Sequence, residues 1–273
     1  MIRLLFIGDV VGRSGRAAVL EHVPLLRARW GLDFVIVNGE NAAGGFGLTE
    51  SIFQDFLAVG VDAVTLGNHA FDQREALLFI ERQPRLIRPV NFPPGTPGRG
   101  AAVIENVKGE RLLVVNVMGR VFMDPLDDPF AAVRRELDLY PLGNACDASL
   151  VDFHAEATSE KWAFGHVVDG KASLVIGTHT HAPSADHRIL VGGTGFITDV
   201  GMTGDYNSVI GMDKSEPVRR FTTKVPSGRF EPALGPATLC AVAAEIGTDG
   251  LTKAIAPVRI GGLLSEAQPG FWT

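Results

Sequence analysis

The first part of the chain alternates short, continuously apolar runs with segments long enough to form a helix. The continuously apolar runs span residues 4–7 and 34–37, and a third short strand is expected over 62–66. A run that is apolar at nearly every position is typical of a strand that is covered on both faces. We expect helices between these strands over 14–29 and 50–59, and after the third strand over 72–82. Strands that alternate with helices predict a mainly parallel sheet with crossover helices, an α/β fold.

The sequence of the remaining chain predicts more strands, three hairpins and further helices. Hairpins are expected around Lys108-Gly109, Gly192-Gly193 and Asp249-Gly250. Buried strands are expected over 150–153 and 174–176, and helices over 128–139 and 158–167. Capping residues are expected at Thr49, at Thr158 or Ser159, and in a capping box of Asp72 with Glu75. We expect one domain over 1–262 and a loosely held C-terminal tail over 263–273.

Polar side chains of ligand type follow five of the predicted strands. They are Asp9; Glu40 with Asn41; Asn68 with His69; His154; and His179 with His181. In parallel α/β sheets the carboxyl ends of the strands share one edge, so we expect these side chains to converge. Each has an ordinary alternative: Asp9 could cap a helix, Asn68 could serve a turn, and His154 could be a core histidine. The joint pattern is harder to explain in that way.

Composition limits the class of protein. With 273 residues, 46% hydrophobic content and a net charge of −6, the chain has enough apolar residues for a sizeable core and no excess of basic residues for stable binding of nucleic acid. Cys146 and Cys240 are too few for a disulfide framework, which suggests a reducing cytoplasm. The sequence shows neither a signal peptide nor an apolar run of about 18 residues, so no membrane association is expected.

The ligand types indicate the metal and the chemistry. Carboxylates, amide oxygens and imidazoles without thiolates suit Mn, Fe or Zn. The candidates are too many for one tetrahedral ion, whereas two ions bridged by a carboxylate would use them all. Two metals about 3.5–4 Å apart are a standard arrangement for phosphoester hydrolysis. A metal-bound hydroxide would attack phosphorus, and a histidine that binds no metal would protonate the leaving group.

Four motifs in a fixed order carry a family resemblance. They are Gly8-Asp9, Gly67-Asn68-His69, a mid-chain His154, and Gly177-Thr178-His179-Thr180-His181. This order resembles the calcineurin-like metallophosphoesterase superfamily, and residues 6–12, 37–45, 66–70, 151–161 and 204–211 resemble its small bacterial branch of YmdB-type phosphodiesterases. The resemblance extends to about Gly262.

The resemblance implies a role for each motif residue. Asp9, Asn41 and His181 would bind one metal, Asn68, His154 and His179 would bind a second, and Glu40 would bridge them, with His69 as the proton donor. The implied fold is a four-layer α/β/β/α sandwich with two facing mixed sheets. The implied activity is hydrolysis of small phosphodiesters, notably 2′,3′-cyclic nucleotides, with an iron or manganese pair. A homo-oligomer is possible.

Three positions depart from the wider superfamily. The usual Asp-x-His is here Asp9-Val10-Val11, the usual bridging aspartate is Glu40, and Ala70 stands where an acidic residue often follows Asn-His. These departures agree with the small branch. The substrate-binding residues are not determined; candidates for the pocket are Phe46, Thr203, Asp205 and Tyr206, and candidates for phosphate or base contact are Arg13 and Arg120.

Two other classes of protein compete with the phosphodiesterase. One is a metal-binding regulatory or scaffold protein with little hydrolytic activity. Such a protein would not need the free proton donor expected at His69. The other is a Rossmann-like oxidoreductase, for which Glu40 would bind a ribose. The sequence lacks the full glycine fingerprint that this hypothesis requires, and the hypothesis leaves His154, His179 and His181 unexplained.

Overall fold

Strands and helices alternate through most of the chain, which a computed structural model describes over residues 1–272. In chain order, the strands of that region are β1 (Ile2–Ile7), β2 (Phe34–Asn38), β3 (Ala63–Thr65), β4 (Leu86–Ile87), β5 (Ala101–Glu105), β6 (Arg111–Met118), β7 (Ala148–His154), β8 (Leu174–Thr178), β9 (Arg188–Ile189), β10 (Gly195–Ile197), β11 (Gly204–Asp205), β12 (Ala237–Ile246) and β13 (Thr252–Ile260). The helices are α1 (Gly12–Trp30), α2 (Glu50–Ala58), α3 (Ala76–Phe79), α4 (Pro129–Leu139), α5 (Thr158–Val167) and α6 (Ser215–Thr223), with a 3₁₀ turn at Ile80–Arg82.

The strands form two mixed sheets. In the first sheet β1 to β4 are parallel, β12 is antiparallel to β1, and both β11 and β13 pair antiparallel with β12. In the second sheet β6, β7, β8 and β10 are parallel, with β5 and β9 antiparallel at the two edges. The predicted parallel strands and the three predicted hairpins are confirmed.

Both faces of each sheet are covered, which explains the continuous apolar runs. Leu5 and Ile7 of β1 belong to a core that includes residues of α1 and α2. Leu4 and Phe6, which point the other way, belong to a core shared with the second sheet. A third core joins the second sheet to α4 and α5, and Phe164 of α5 belongs to it. The predicted four-layer α/β/β/α sandwich is confirmed, and its two facing sheets exclude the single-sheet Rossmann architecture.

The strand registers bring the functional segments to the same level. Ile7 pairs with Val37, and Val37 pairs with Val64, so β1, β2 and β3 end side by side. In the second sheet His154, at the end of β7, pairs with Thr178, at the end of β8. The residues that follow these strand ends therefore lie next to one another at the carboxyl edge of each sheet.

Local capping was predicted correctly at one helix and wrongly at two. The Thr49 side chain accepts a hydrogen bond from Ile52 N at 3.3 Å and caps α2 as predicted. The predicted helix over 72–82 is wrong in extent, because only Ala76–Phe79 is α-helical, followed by the 3₁₀ turn. Asp72 does not form the predicted capping box, since its carboxylate bonds to His69. At α5, neither Thr158 nor Ser159 is the cap, because the helix follows Ala157 without a side-chain cap.

The C-terminal tail is packed, and the expectation of a loosely held extension is wrong for its described part. The Trp272 side chain is buried, with its ring centroid 5.6 Å from that of Trp30. Its Nε1 donates a hydrogen bond to Glu245 Oε1 at 3.0 Å. Thr273, the last residue of the predicted tail, lies outside the described residues. Within residues 1–272, no helix has both the length and the apolar character required to cross a membrane.

Candidate metal centre

The side chains predicted as metal ligands meet where the carboxyl ends of the two sheets face each other. The first sheet supplies Asp9, Glu40, Asn41 and Asn68, and the second supplies His154, His179 and His181. Six of them are linked by contacts, because two groups of three share Glu40 and Asn68 bonds to His154. The seventh is Asn41, next to Glu40, which is buried and donates its Nδ2 hydrogen to Gly45 O at 3.0 Å.

One cluster is centred on the ring nitrogen Nε2 of His154. This atom lies 3.0 Å from Glu40 Oε1, 2.9 Å from Asn68 Oδ1 and 3.1 Å from His179 Nδ1. The ligand atoms of Glu40, His154 and His179 all lie within 4.8 Å of one another. A second cluster, whose ligand atoms also all lie within 4.8 Å of one another, consists of Asp9, Glu40 and His181. Glu40 is the residue that the two clusters share.

Hydrogen bonds outside the clusters orient two of these imidazoles. The His154 Nδ1 hydrogen is donated to Thr178 Oγ1 at 2.9 Å, and Thr178 in turn donates to Asp152 Oδ1 at 2.7 Å. The His181 Nδ1 hydrogen is donated to Ile210 O at 2.8 Å. These bonds leave Nε2 of each ring with a free lone pair. Metal-binding histidines are usually held by such a partner on the other ring nitrogen.

His179 is oriented in the opposite sense. Its Nε2 lies 3.3 Å from Glu156 Oε2, and its Nδ1 faces the ring of His154. The exposed Glu156 carboxylate can therefore accept the Nε2 hydrogen, which leaves the Nδ1 lone pair directed into the cluster. Glu156 was not predicted from the sequence as part of the site.

The donor set fits a divalent metal site. With these orientations, lone pairs of His154, His179 and Asn68 face one another and the Glu40 carboxylate, an arrangement that requires a cation or a proton between them. Two further oxygens, Asp9 Oδ1 and Asn41 Oδ1, are buried and find no hydrogen-bond partner within the described residues. Buried oxygens are normally paired, so unpaired ones at this position are consistent with metal ligands.

The pKa shifts at the site arise from burial and from the close contact of carboxyl and imidazole groups. Burial raises the pKa of Asp9, which lies among His181, His154 and Glu40. Burial opposes a charge on His154, but Glu40 and Asp9 together raise the pKa of His154. Burial and the neighbouring His154 lower the pKa of His179 to about 3. A positive charge at His154 thus balances the carboxylates, a role that a bound cation can also fill.

The His179-Thr180-His181 turn has a strained backbone. His179 has φ +96° and His181 has φ +65°, values that side-chain-bearing residues seldom adopt. Asp199 holds the turn, because its Oδ2 accepts hydrogen bonds from Thr180 N at 3.2 Å and Thr180 Oγ1 at 2.8 Å. The buried Lys161 ammonium lies 2.7 Å from the same oxygen. Strain of this kind persists at functional sites where the surroundings fix the conformation.

Gly67 allows the two sheets to approach each other at the site. A Cβ atom at this position would collide with Glu40 Oε2 and would lie 2.5 Å from His154 Nε2. The glycine of Gly67-Asn68-His69 is therefore required by the close packing of the shared carboxylate against the opposite sheet.

His69 lies beside the clusters and belongs to neither. Its backbone N donates to Glu40 Oε2 at 3.0 Å, and its Nδ1 lies 2.8 Å from Asp72 Oδ2. Its ring makes an edge contact with Phe46 at a centroid distance of 5.1 Å. Nε2 is the ring nitrogen left free, which is the arrangement expected of a proton donor.

A cavity of about 290 Å³ opens directly onto the metal centre. Four of its lining residues belong to the metal centre or lie beside it: Glu40, His69, His179 and His181. The rest of the lining is apolar and consists of Phe46, Val209, Ile210, Met212, Pro217, Phe221 and Phe230. Sequence analysis named Phe46 as a pocket candidate but did not assign the other apolar residues to the pocket. They come from the chain between β11 and β12.

The other candidates for the substrate pocket lie outside this cavity. Thr203 Oγ1 bonds to the backbone of β12, and Tyr206 Oη bonds to His181 O and Met202 O. The Asp205 carboxylate accepts hydrogen bonds from nearby backbone N–H groups. Arg13 lines a separate surface groove. Arg120 forms an exposed ion pair in which its Nη2 lies 3.9 Å from Asp128 Oδ1.

A four-layer sandwich with a histidine and carboxylate centre at the carboxyl edges of both sheets defines a phosphoesterase of the calcineurin-like class. The chain belongs to the YmdB-like protein family, whose sequence profile matches residues 5–258. A relative in Bacillus subtilis, named 2′,3′-cyclic-nucleotide 2′-phosphodiesterase, is 48% identical over 95% of this chain and 96% of its own length.

Two solved structures share the fold throughout. A Thermus thermophilus protein described as hypothetical is 47% identical, with a TM-score of 0.88 over 96% of this chain and 100% of its own. A structure described as a novel phosphatase from Mycoplasma pneumoniae is 34% identical, with a TM-score of 0.88 over 95% of this chain and 93% of its own.

Proposed function

We propose that this protein is a dimetal phosphodiesterase that hydrolyses 2′,3′-cyclic nucleotides at the 2′ ester bond. The observation that carries the proposal is the position of Glu40, which belongs to two ligand clusters while His69 stands beside both with a free ring nitrogen. The name of the Bacillus subtilis relative supports the substrate and the bond that is cleaved.

Each cluster would hold one ion. Asp9, Asn41 and His181 would bind the first, Asn68, His154 and His179 the second, and Glu40 both. When bound, two such ions neutralise the charge of the phosphate and acidify and orient a water molecule. The donor set of oxygen and imidazole nitrogen supports iron or manganese.

His69 would supply the proton that completes the reaction. The oxygen of water bonds to phosphorus and one water proton passes to solvent. The bond between phosphorus and O2′ breaks, and O2′ takes a proton from His69 Nε2, which yields a nucleoside 3′-phosphate. His69 then regains a proton from solvent. Asp72 holds the His69 ring in place through Nδ1. Glu40 Oε2 accepts the His69 backbone hydrogen, which places the proton donor at a fixed position relative to the metal ligands.

The composition supports the setting of this activity. The net charge of −6 favours a small substrate over stable nucleic-acid binding. Both cysteines are free and buried, which supports a reducing compartment such as the cytoplasm. A metal-binding scaffold remains the alternative, and the paired and accessible His69 argues against it because a scaffold needs no proton donor.

The test is a His69→Ala variant assayed on two substrates, with metal content measured in the same preparation. On 2′,3′-cAMP, whose alkoxide leaving group requires a proton, kcat should fall by about 10² to 10⁴. On bis-p-nitrophenyl phosphate, whose leaving group requires little protonation, the loss should be much smaller. Metal content should not change. Equal rates for variant and native protein on 2′,3′-cAMP would refute the role of His69, and metal-loaded native protein that hydrolyses neither substrate would favour the scaffold.

A further inference from the structure

We propose that the part of the apolar lining that comes from α6 and Phe230, which we call the apolar end of the cavity, binds the nucleobase of the substrate by stacking and apolar contact. This inference rests on the proposed function and specifies how the same site selects its substrate. The end of the cavity that contains Glu40 and His69 would hold the cyclic phosphate, and the α6 end would hold the base.

The cavity is divided by chemistry into two parts. Its titratable lining residues are all at the metal centre, and the rest of the lining is apolar. A 2′,3′-cyclic nucleotide has the same division, because its charged phosphate is fused to the ribose and its flat base projects from the other side of the sugar. A volume of about 290 Å³ lies near the lower end of the range of about 300–1,000 Å³ for small-molecule sites.

The apolar residues at the mouth of the cavity are exposed. Phe221 has 75% of its surface accessible and Ile210 has 59%. Exposed apolar side chains beside a reaction centre, here one aromatic and one aliphatic, are typical of a ligand-binding surface. Aromatic rings are also suitable surfaces for nucleobases, since every base presents a flat π face.

Phe230 is held in position by contacts on the side of α6. The Arg220 guanidinium lies over the Phe230 ring, 4.1 Å from its centroid. Arg220 Nε donates to Glu216 Oε1 at 2.6 Å, and its NH2 group donates to Gly228 O at 2.7 Å. Glu216 Oε2 also accepts a hydrogen bond from Ser227 Oγ at 2.5 Å. This network fixes the ring before any ligand binds, which reduces the entropy cost of binding.

The apolar end presents no side chain that could read the edge of a base. Within the described residues, its lining consists of hydrocarbon and aromatic groups. Discrimination between bases requires hydrogen-bonding groups directed at their edges. We therefore expect the values of kcat/KM for the four common 2′,3′-cyclic nucleotides to lie within about tenfold of one another, with the larger purines favoured.

The test compares 2′,3′-cAMP with glycerol 1,2-cyclic phosphate, which has the same reacting ring and no base. In the native protein the ratio of their kcat/KM values should favour the nucleotide strongly. Phe221→Ala should lower this ratio about tenfold, mainly through KM for the nucleotide. Phe221→Trp, which retains an aromatic ring, should restore it. Val218→Ala is the matched control, because Val218 lies on the same helix and does not line the cavity, and this variant should keep the native ratio.

Isothermal titration calorimetry with 3′-AMP, the expected product, gives a readout that does not depend on turnover. Phe221→Ala should weaken binding of 3′-AMP about tenfold, and Val218→Ala should not. An unchanged ratio and unchanged binding in both Phe221→Ala and Phe230→Ala would overturn the assignment while leaving the proposed function intact. Failure of the native protein to hydrolyse either cyclic phosphate would overturn the proposed function, and the assignment with it.

Discussion

His69 Nδ1 lies 2.8 Å from Asp72 Oδ2, three positions further along the chain. The superfamily pattern often has an acidic residue directly after the histidine, and this chain has Ala70 there. The tight turns at Ala70 and Asp72 bring the later carboxylate back to the ring. Asp72 is therefore the carboxylate partner of His69 in this chain.

Replacing Asp72 with asparagine should remove the carboxylate that holds the His69 ring through Nδ1. We expect kcat on 2′,3′-cAMP to fall about 10- to 100-fold, with KM and metal content unchanged. On bis-p-nitrophenyl phosphate the effect should be smaller. Asp55→Asn removes an exposed carboxylate on α2 and serves as the control. Full activity of Asp72→Asn on the nucleotide would show that the pair has no role in proton transfer.

The two clusters should lose metal independently. His179→Ala should lower the metal content by about one equivalent from the His154 cluster, and His181→Ala should do the same for the Asp9 cluster. Glu40→Ala should cause the largest loss, since both clusters use its carboxylate. Metal content is measured by inductively coupled plasma mass spectrometry. The exposed His166 provides the control, and no loss from either ligand variant would contradict the assignment.

The packed tail should contribute to stability. Trp272→Ala removes a buried ring that packs on Trp30 and a hydrogen bond to Glu245. The free energy of unfolding should fall by about 3 kcal/mol. Leu263→Ala, at an exposed tail position, should change it by less than about 0.5 kcal/mol. The measurement is denaturant unfolding followed by circular dichroism, and equal stability of both variants would show that the tail packing is dispensable.

Both thiols should be unreactive in the folded protein at neutral pH. Burial raises the pKa of Cys146 to about 11 and that of Cys240 to about 11. The thiolate is the reactive form, so reactivity should be very low near pH 8 and should increase toward pH 11. Titration with a thiol-specific disulfide reagent should be slow in the native protein and rapid in urea. Rapid labelling of native protein at pH 8 would contradict this expectation.

The sequence predicted the layers of the fold because burial on both faces leaves a clear pattern. Runs such as 34–37 are apolar at every position since one side faces α1 and α2 and the other faces the second sheet. The predictions failed where a side chain has a tertiary partner. Asp72 and Glu75 have the spacing of a capping box, but Asp72 bonds to His69 and Glu75 accepts a hydrogen bond from Glu50 N.

The candidate site was predicted as far as it depends on strand ends. Asp9 and Glu40 could be placed together because the parallel strands that precede them share an edge. His181 follows a strand of the other sheet, so its contact with them depends on how the two sheets face each other. The partners that orient the histidines were not predicted, since Thr178, Ile210 and Glu156 are ordinary residues whose role depends on geometry. Phe221 and Phe230 were missed for the same reason, because their position depends on how the chain between β11 and β12 folds back over the site.

The division of donors between the two sheets has a consequence for biosynthesis. The first sheet contributes residues 9–68 to the centre and the second contributes residues 154–181, while β12 joins the first sheet only near the end of the chain. A ribosome-bound chain that stops before β7 carries four of the seven donors and no opposing imidazoles. The complete donor set is therefore present only after about two thirds of the polypeptide has been synthesised, and a translation product that ends before β8 lacks the imidazoles of His179 and His181.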